Sequence, residues 1–67
     1  MKNKERLITV LKHLIEHNHG HQEDFSRWIT LADETGTHEV ADLIKEASHH
    51  AEHTGEALSK ALKLLSE

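Results

Sequence analysis

The longest regular pattern in the chain decides its fold, and it runs HEVADLIKEASHHAEHTGEALSKALKLLS from residue 38 to residue 66. Apolar and small residues recur along it in alternating steps of four and three. This spacing, held over almost four repeats, predicts one long helix with a heptad-type face. The face comprises Val40, Ile44, Ala47, Ala51, Thr54, Leu58, Ala61 and Leu65.

Gly55 is the one weak point of this helix. A glycine inside a helix costs about 1 kcal/mol, and Thr54 is a suitable cap for a separate fourth helix. Because the spacing crosses Gly55 without a change of phase, one unbroken helix over 38–66 is favoured. The alternative is a compact four-helix monomer divided at Gly55.

Two shorter helices precede this one. Leu7, Val10, Leu11, Leu14 and His17 predict a helix over about 3–17, which the turn-forming residues 18–20 should close. Phe25, Trp28, Ile29 and Ala32 predict a second helix over about 21–34. Gly36 then suits a helix C-terminus and Thr37 an N-cap. We therefore expect one all-α domain over residues 1–67, a three-helix up-down-up bundle with a long C-terminal helix.

The predicted lengths leave part of the third helix uncovered. Helix 1 should measure roughly 22 Å and helix 3 roughly 42 Å, so a short hairpin cannot cover the longer helix. The apolar residues left exposed would be Ala57, Leu58, Ala61, Leu62, Leu64 and Leu65. An exposed stripe of this kind predicts a homodimer formed through the C-terminal helix.

The overall composition excludes several classes of protein. The 67 residues contain no cysteine, so disulfides and thiolate metal sites are absent. The net charge of −4 argues against nucleic acid, whose binding requires clustered Lys and Arg. No apolar run approaches the roughly 18 residues of a membrane span, and the N-terminal segment does not match a secretory signal. A cytoplasmic location is the default expectation.

Histidine is the unusual residue type, with eight in 67 residues. His13, His17 and His21 are spaced by four residues. On an α-helix, residues with this spacing lie on one face and can bind the same metal ion. A second cluster lies in the long helix and consists of Glu46, His49, His50 and His53. Imidazoles, with or without a carboxylate, suit Zn²⁺, Ni²⁺, Co²⁺ or Cu²⁺.

The two clusters are expected to meet. In an up-down-up bundle, His17 lies about 14 residues into helix 1 and His50 about 12 residues into the parallel helix 3, at a similar height. This predicts a joint metal site made by His13, His17, His21, His49, His50, His53 and Glu46. For any single histidine, a solvated or core-edge side chain is the simpler interpretation.

The segment LKHLIEHNHGH over residues 11–21, followed by Phe25 and Trp28, resembles a small prokaryotic helical domain of unknown function. Members of that group look like Leu-x-His-Leu-Ile-Glu-His-Asn-x-x-His with an acidic helical tail, and they sometimes occur near nickel or cobalt handling genes. The resemblance carries over His13, His17, Asn18 and His21 as its characteristic residues. It does not extend to the histidines of the third helix.

These observations predict a module that binds or traffics a divalent transition metal. The alternative is a helical dimerisation or interaction module without metal, whose histidines respond to pH. An enzyme is disfavoured, because the chain has no nucleophile constellation and no Gly-rich phosphate loop, and it is too short for a substrate pocket.

Overall fold

The computed structural model describes residues 2–66 and folds them as a hairpin of two long antiparallel helices. α1 spans Lys2–Glu34 and α2 spans His38–Ser66. The hairpin measures 53 × 14 × 12 Å, in keeping with the length of about 50 Å expected for a helix the size of α1. The all-α class and the unbroken helix over 38–66 are confirmed. The three-helix up-down-up bundle is wrong, because there is no helix boundary between residues 17 and 21.

The predicted turn at residues 18–20 fails because packing overrides the local signal. Gly20 keeps a negative φ within α1, and the only described glycine with a positive φ is Gly36. A helical glycine costs about 1 kcal/mol, which is small beside the packing of a full helix against its neighbour. Asn18 does not cap α1; it turns its side chain toward α2.

The two helices meet along a heptad-spaced line of half-buried and buried residues, which we call the core seam. On both helices its members follow alternating steps of three and four, as in an antiparallel coiled coil. On α1 the core seam is Ile8, Leu11, Ile15, Asn18, Gln22, Phe25, Ile29 and Ala32; on α2 it is Ala41, Ile44, Ser48, Ala51, Gly55, Leu58, Leu62 and Leu65. Only Leu11, Ala32 and Ala41 are buried among the described residues, so the core of one chain is thin.

A polar contact in the middle of the core seam fixes the register of the helices. Asn18 donates a hydrogen bond from Nδ2 to the carbonyl of Ala51 at 2.8 Å. A Cβ added to Gly55 would lie 3.0 Å from the same Nδ2 atom. Gly55 therefore makes room for the Asn18 amide, and a single polar residue at a seam position is a known way to select one register.

The helices are joined by a Schellman turn. Gly36 adopts a φ of 79°; its N–H donates to Asp33, and the N–H of Thr37 donates to Ala32, which together form the two bonds of this motif. The hydroxyls of Thr35 and Thr37 also donate to the Ala32 carbonyl. The predicted glycine-closed turn at residues 35–37 is confirmed.

The continuous α1 is long enough to cover the C-terminal half of α2. α1 is as long as α2, so Leu58, Leu62 and Leu65 are half-buried against it. The expectation that these leucines are uncovered is therefore wrong. Whether two chains associate is a separate question, and it depends on other residues.

Candidate metal centre

The most distinctive group of donor atoms is a histidine pair in the middle of α1. Nε2 of His17 lies 3.0 Å from Nε2 of His21, and the ring planes are nearly perpendicular at 89° with centroids 4.5 Å apart. Four-residue spacing places the two side chains one turn apart on one side of the helix. Both side chains are exposed, so their nitrogens are open to solvent.

The neighbours of the pair on α1 are one aromatic ring of the core seam and two exposed histidines. The ring of Phe25 stacks loosely on His21, with centroids 6.5 Å apart and planes inclined by 30°. His13, one turn before His17, is exposed. His19 points to another side of α1, where it contacts the Glu23 carboxylate at 3.3 Å. The geometry thus singles out His17 and His21 within the first predicted cluster.

The predicted ligands of α2 lie on outward-facing positions. His49 pairs with Glu52 at 3.6 Å and His53 pairs with Glu56 at 3.8 Å, all with well-exposed side chains. Glu46 and His50 are exposed as well. Contacts of this kind between exposed groups one turn apart contribute little to stability.

Within residues 2–66, no three or more His, Asp or Glu side chains are placed to hold one metal ion. α2 runs antiparallel to α1, and not parallel as expected, and Asn18 is level with Ala51 and Gly55. His17 and His50, which precede Asn18 and Ala51, therefore stay on one side of the hairpin, but His50 is not placed to share an ion with the His17–His21 pair. His13, Glu46 and His53 moreover occupy helix positions opposite the core seam, on the outer side of each helix.

The comparison with known proteins identifies the family. The sequence model of a family described as a domain of unknown function (DUF8180) matches residues 7–65. The chain belongs to this family. The match covers nearly all of both helices, so the DUF8180 domain corresponds to the whole hairpin and includes every predicted metal ligand. No curated protein and no solved structure matched the chain.

Two further observations concern the histidine contacts of this DUF8180 domain and the apolar length of its helices. The sequence interpretation missed Glu23 and Glu52, which are the partners of His19 and His49; their spacing of four and three residues from those histidines was the available signal. Neither helix, over its described residues, is long and apolar enough to cross a lipid bilayer.

Proposed function

We propose that this chain binds a divalent transition metal ion, with His17 and His21 as its two primary ligands. The observation that carries the proposal is the separation of 3.0 Å between their Nε2 atoms. With metal–nitrogen bonds of about 2.0–2.1 Å, two ligands at 90° are separated by about 2.9 Å and two at the tetrahedral angle by about 3.4 Å. The separation of the two nitrogens therefore already matches that of two ligands of one ion.

Without metal, the same contact is a hydrogen bond. A neutral imidazole has one N–H donor and one acceptor nitrogen, so one ring donates to the other. Binding of an ion replaces this bond with two metal–nitrogen bonds and requires both facing nitrogens to be unprotonated. The pair is thus a preformed two-ligand chelate whose remaining coordination positions are filled by water or by other groups.

Imidazole donors favour Zn²⁺, Ni²⁺, Co²⁺ and Cu²⁺. The other predicted ligands, His13, His49, His50, His53 and Glu46, stay predictions, because among the described residues none of them joins the pair to make a group of three. A buffering or trafficking role fits an exposed two-ligand site, since open coordination positions allow an ion to be exchanged.

Isothermal titration of untagged protein at pH 7 with each of the four metals tests the proposal. We expect saturable binding with a dissociation constant below about 100 µM, equivalent to more than about 5.5 kcal/mol. Because loss of a supporting contact alone costs metal sites about 10–100-fold in affinity, His17→Ala and His21→Ala should each weaken binding at least ~10-fold.

His19→Ala is the matched control, because His19 is an exposed imidazole on the same helix that lies outside the pair. It should change the affinity less than about twofold, the scatter expected for a residue that is not a ligand. If the two ligand variants bind as tightly as the wild type, the proposal is wrong. Thermal melts with and without EDTA distinguish the alternative: a metal-free module with a histidine pH response shows a transition between about pH 5 and 7 that chelator does not change.

A further inference from the structure

The exposed large apolar side chains of this chain all lie on one side of the hairpin. Over the described residues there are eight of them, and each immediately precedes a residue of the core seam. We call this set the apolar face: Leu7, Val10, Leu14, Trp28, Leu31, Val40, Leu43 and Leu64. Leu64 is 73% exposed and Leu43 is 65% exposed, although leucine is usually buried.

Both helices contribute residues to the apolar face on one side of the hairpin, because the two helices are related by symmetry. Two antiparallel helices are related by a two-fold rotation normal to the plane of the hairpin, and this rotation keeps equivalent heptad positions on one side of that plane. Residues that precede the core seam on α1 and on α2 therefore form one surface. Between Leu43 and Leu64, the positions of α2 on this surface carry Ala47, His50, Thr54, Ala57 and Ala61.

We propose that a second copy of this chain packs on the apolar face and forms a four-helix assembly of two hairpins. Successive residues of an α-helix are separated by 100° around its axis, because one turn contains 3.6 residues. Each helix thus has two apolar lines about 100° apart, one for its own partner helix and one on the apolar face. In a square arrangement of four helices the two neighbours of each helix are 90° apart, which these two lines match.

The surface area of the hairpin supports the same conclusion. A compact monomer of 7.6 kDa exposes about 4300 Å². This chain exposes 5413 Å², an excess of about 1100 Å², whereas each partner in a standard protein interface buries about 800 Å². With three buried residues over 2–66, one chain is also short of core, and self-association is a common remedy in domains of this size.

A second copy is favoured over a membrane or an unrelated partner. Helices that lie on a lipid surface carry Lys and Arg beside their apolar face and bind anionic lipids, but this chain has a net charge of −4. The apolar face extends over residues 7–31 of α1 and 40–64 of α2, and the pairing of Asn18 with Ala51 and Gly55 puts the centres of both stretches near mid-hairpin. A two-fold rotation about that centre brings the face onto an identical face.

Sedimentation equilibrium of the wild type from about 1 to 200 µM tests the proposal, since association by mass action depends on concentration. The expected species has twice the mass of the 7.6 kDa chain. Leu43 is 65% exposed on this face. Leu43→Glu should weaken association at least ~10-fold, because it removes an apolar contact and places an unpaired charge in the interface. Ser59→Glu adds the same charge on another side of α2 and should leave association unchanged.

Leu64→Ser provides a second variant if Leu43→Glu does not fold, because Leu64 contributes almost nothing to the core of one chain. Trp28, the only tryptophan, lies on the face and is a direct probe. Its emission should be shifted to longer wavelength in either face variant relative to the dimeric wild type. A wild type that stays monomeric at about 200 µM, where weak specific dimers associate, overturns the proposal, as do face variants that associate like the wild type.

Discussion

Replacing the two helical glycines by alanine gives opposite expectations, and the difference tests the hairpin directly. Gly20 lies in α1 with open space around it, and a Cβ there meets no atom within 4 Å. Because alanine is more favourable than glycine in a helix by about 0.8–1.0 kcal/mol, Gly20→Ala should stabilise the protein by about that amount. If residue 20 instead ended a helix in the left-handed conformation, the same change would destabilise it by about 1–2 kcal/mol.

Gly55→Ala gains the same stabilisation from helix propensity, but a steric contact of the added Cβ offsets this gain. Its Cβ would lie 3.0 Å from Nδ2 of Asn18, and that amide is held by its hydrogen bond to Ala51. Swinging the amide away costs the hydrogen bond, worth about 0.5–1.5 kcal/mol, and separating the helices costs packing. We therefore expect Gly55→Ala to be close to neutral, and about 0.5–1.5 kcal/mol less stable than Gly20→Ala.

Urea unfolding followed by circular dichroism measures both free energies, with all proteins at one concentration because association contributes to stability. A difference of 1 kcal/mol corresponds to about 4–8 °C in the melting temperature of a domain this small. In an Asn18→Ala background the contact is gone, so Gly55→Ala should regain the full gain of about 1 kcal/mol. Equal stabilisation by the two alanines in the wild type would refute the Asn18–Gly55 contact, and destabilisation by Gly20→Ala would refute the continuous α1.

Three other outcomes follow from the same structure. Gly36→Ala should destabilise the hairpin by about 1–2 kcal/mol in the same urea assay, because a residue with a Cβ is strained in the left-handed conformation that Gly36 adopts. Ala41→Leu should destabilise it by about 1–3 kcal/mol, because Ala41 is completely buried beside the turn and leaves no room for a larger side chain; an unchanged unfolding midpoint contradicts this. Zinc affinity measured by calorimetry should fall as the pH is lowered below about 6, because only neutral imidazole binds a metal; a pH-independent affinity excludes histidine ligands.

Much of the fold could be predicted from the sequence, and the failure has an identifiable cause. The all-α class, the continuous helix through Gly55 and the turn at Gly36 follow from composition, spacing and glycine placement. The break at residues 18–20 was wrong because Asn18 and Gln22 are polar members of the core seam. A search for apolar periodicity omits these polar residues. The helical spacing therefore seemed to end at residues 18–20, although α1 continues through them.

The choice of buried face could not be made from periodicity alone. Leu7, Val10 and Leu14, which carry the spacing that predicts the first helix, are exposed, whereas Ile8 and Ile15 are half-buried on the core seam. Each helix has two apolar lines, and both satisfy the same three- and four-residue spacing. Only the partner helix decides which line becomes the core, and this is tertiary information. The joint metal site was argued from parallel helices, and that argument does not apply to an antiparallel hairpin, so its ligands stay predictions.

The metal pair and the apolar face occupy the same surface, and this links the two proposals. His17 precedes Asn18 and His21 precedes Gln22, so both follow the rule that defines the apolar face. A second copy placed there removes water from the two imidazoles, and buried polar groups are costly unless they are hydrogen-bonded or bound to a metal. The 3.0 Å contact satisfies only one nitrogen of each ring, whereas a bound ion replaces it with stronger bonds and accepts further ligands from the second copy. By thermodynamic linkage, the factor by which metal tightens the dimer must equal the factor by which the dimer tightens metal binding. Both factors are measured with Zn²⁺. Equal factors well above one mean that the two copies share a metal site. A factor of one in both measurements means that metal binding and dimerisation are independent.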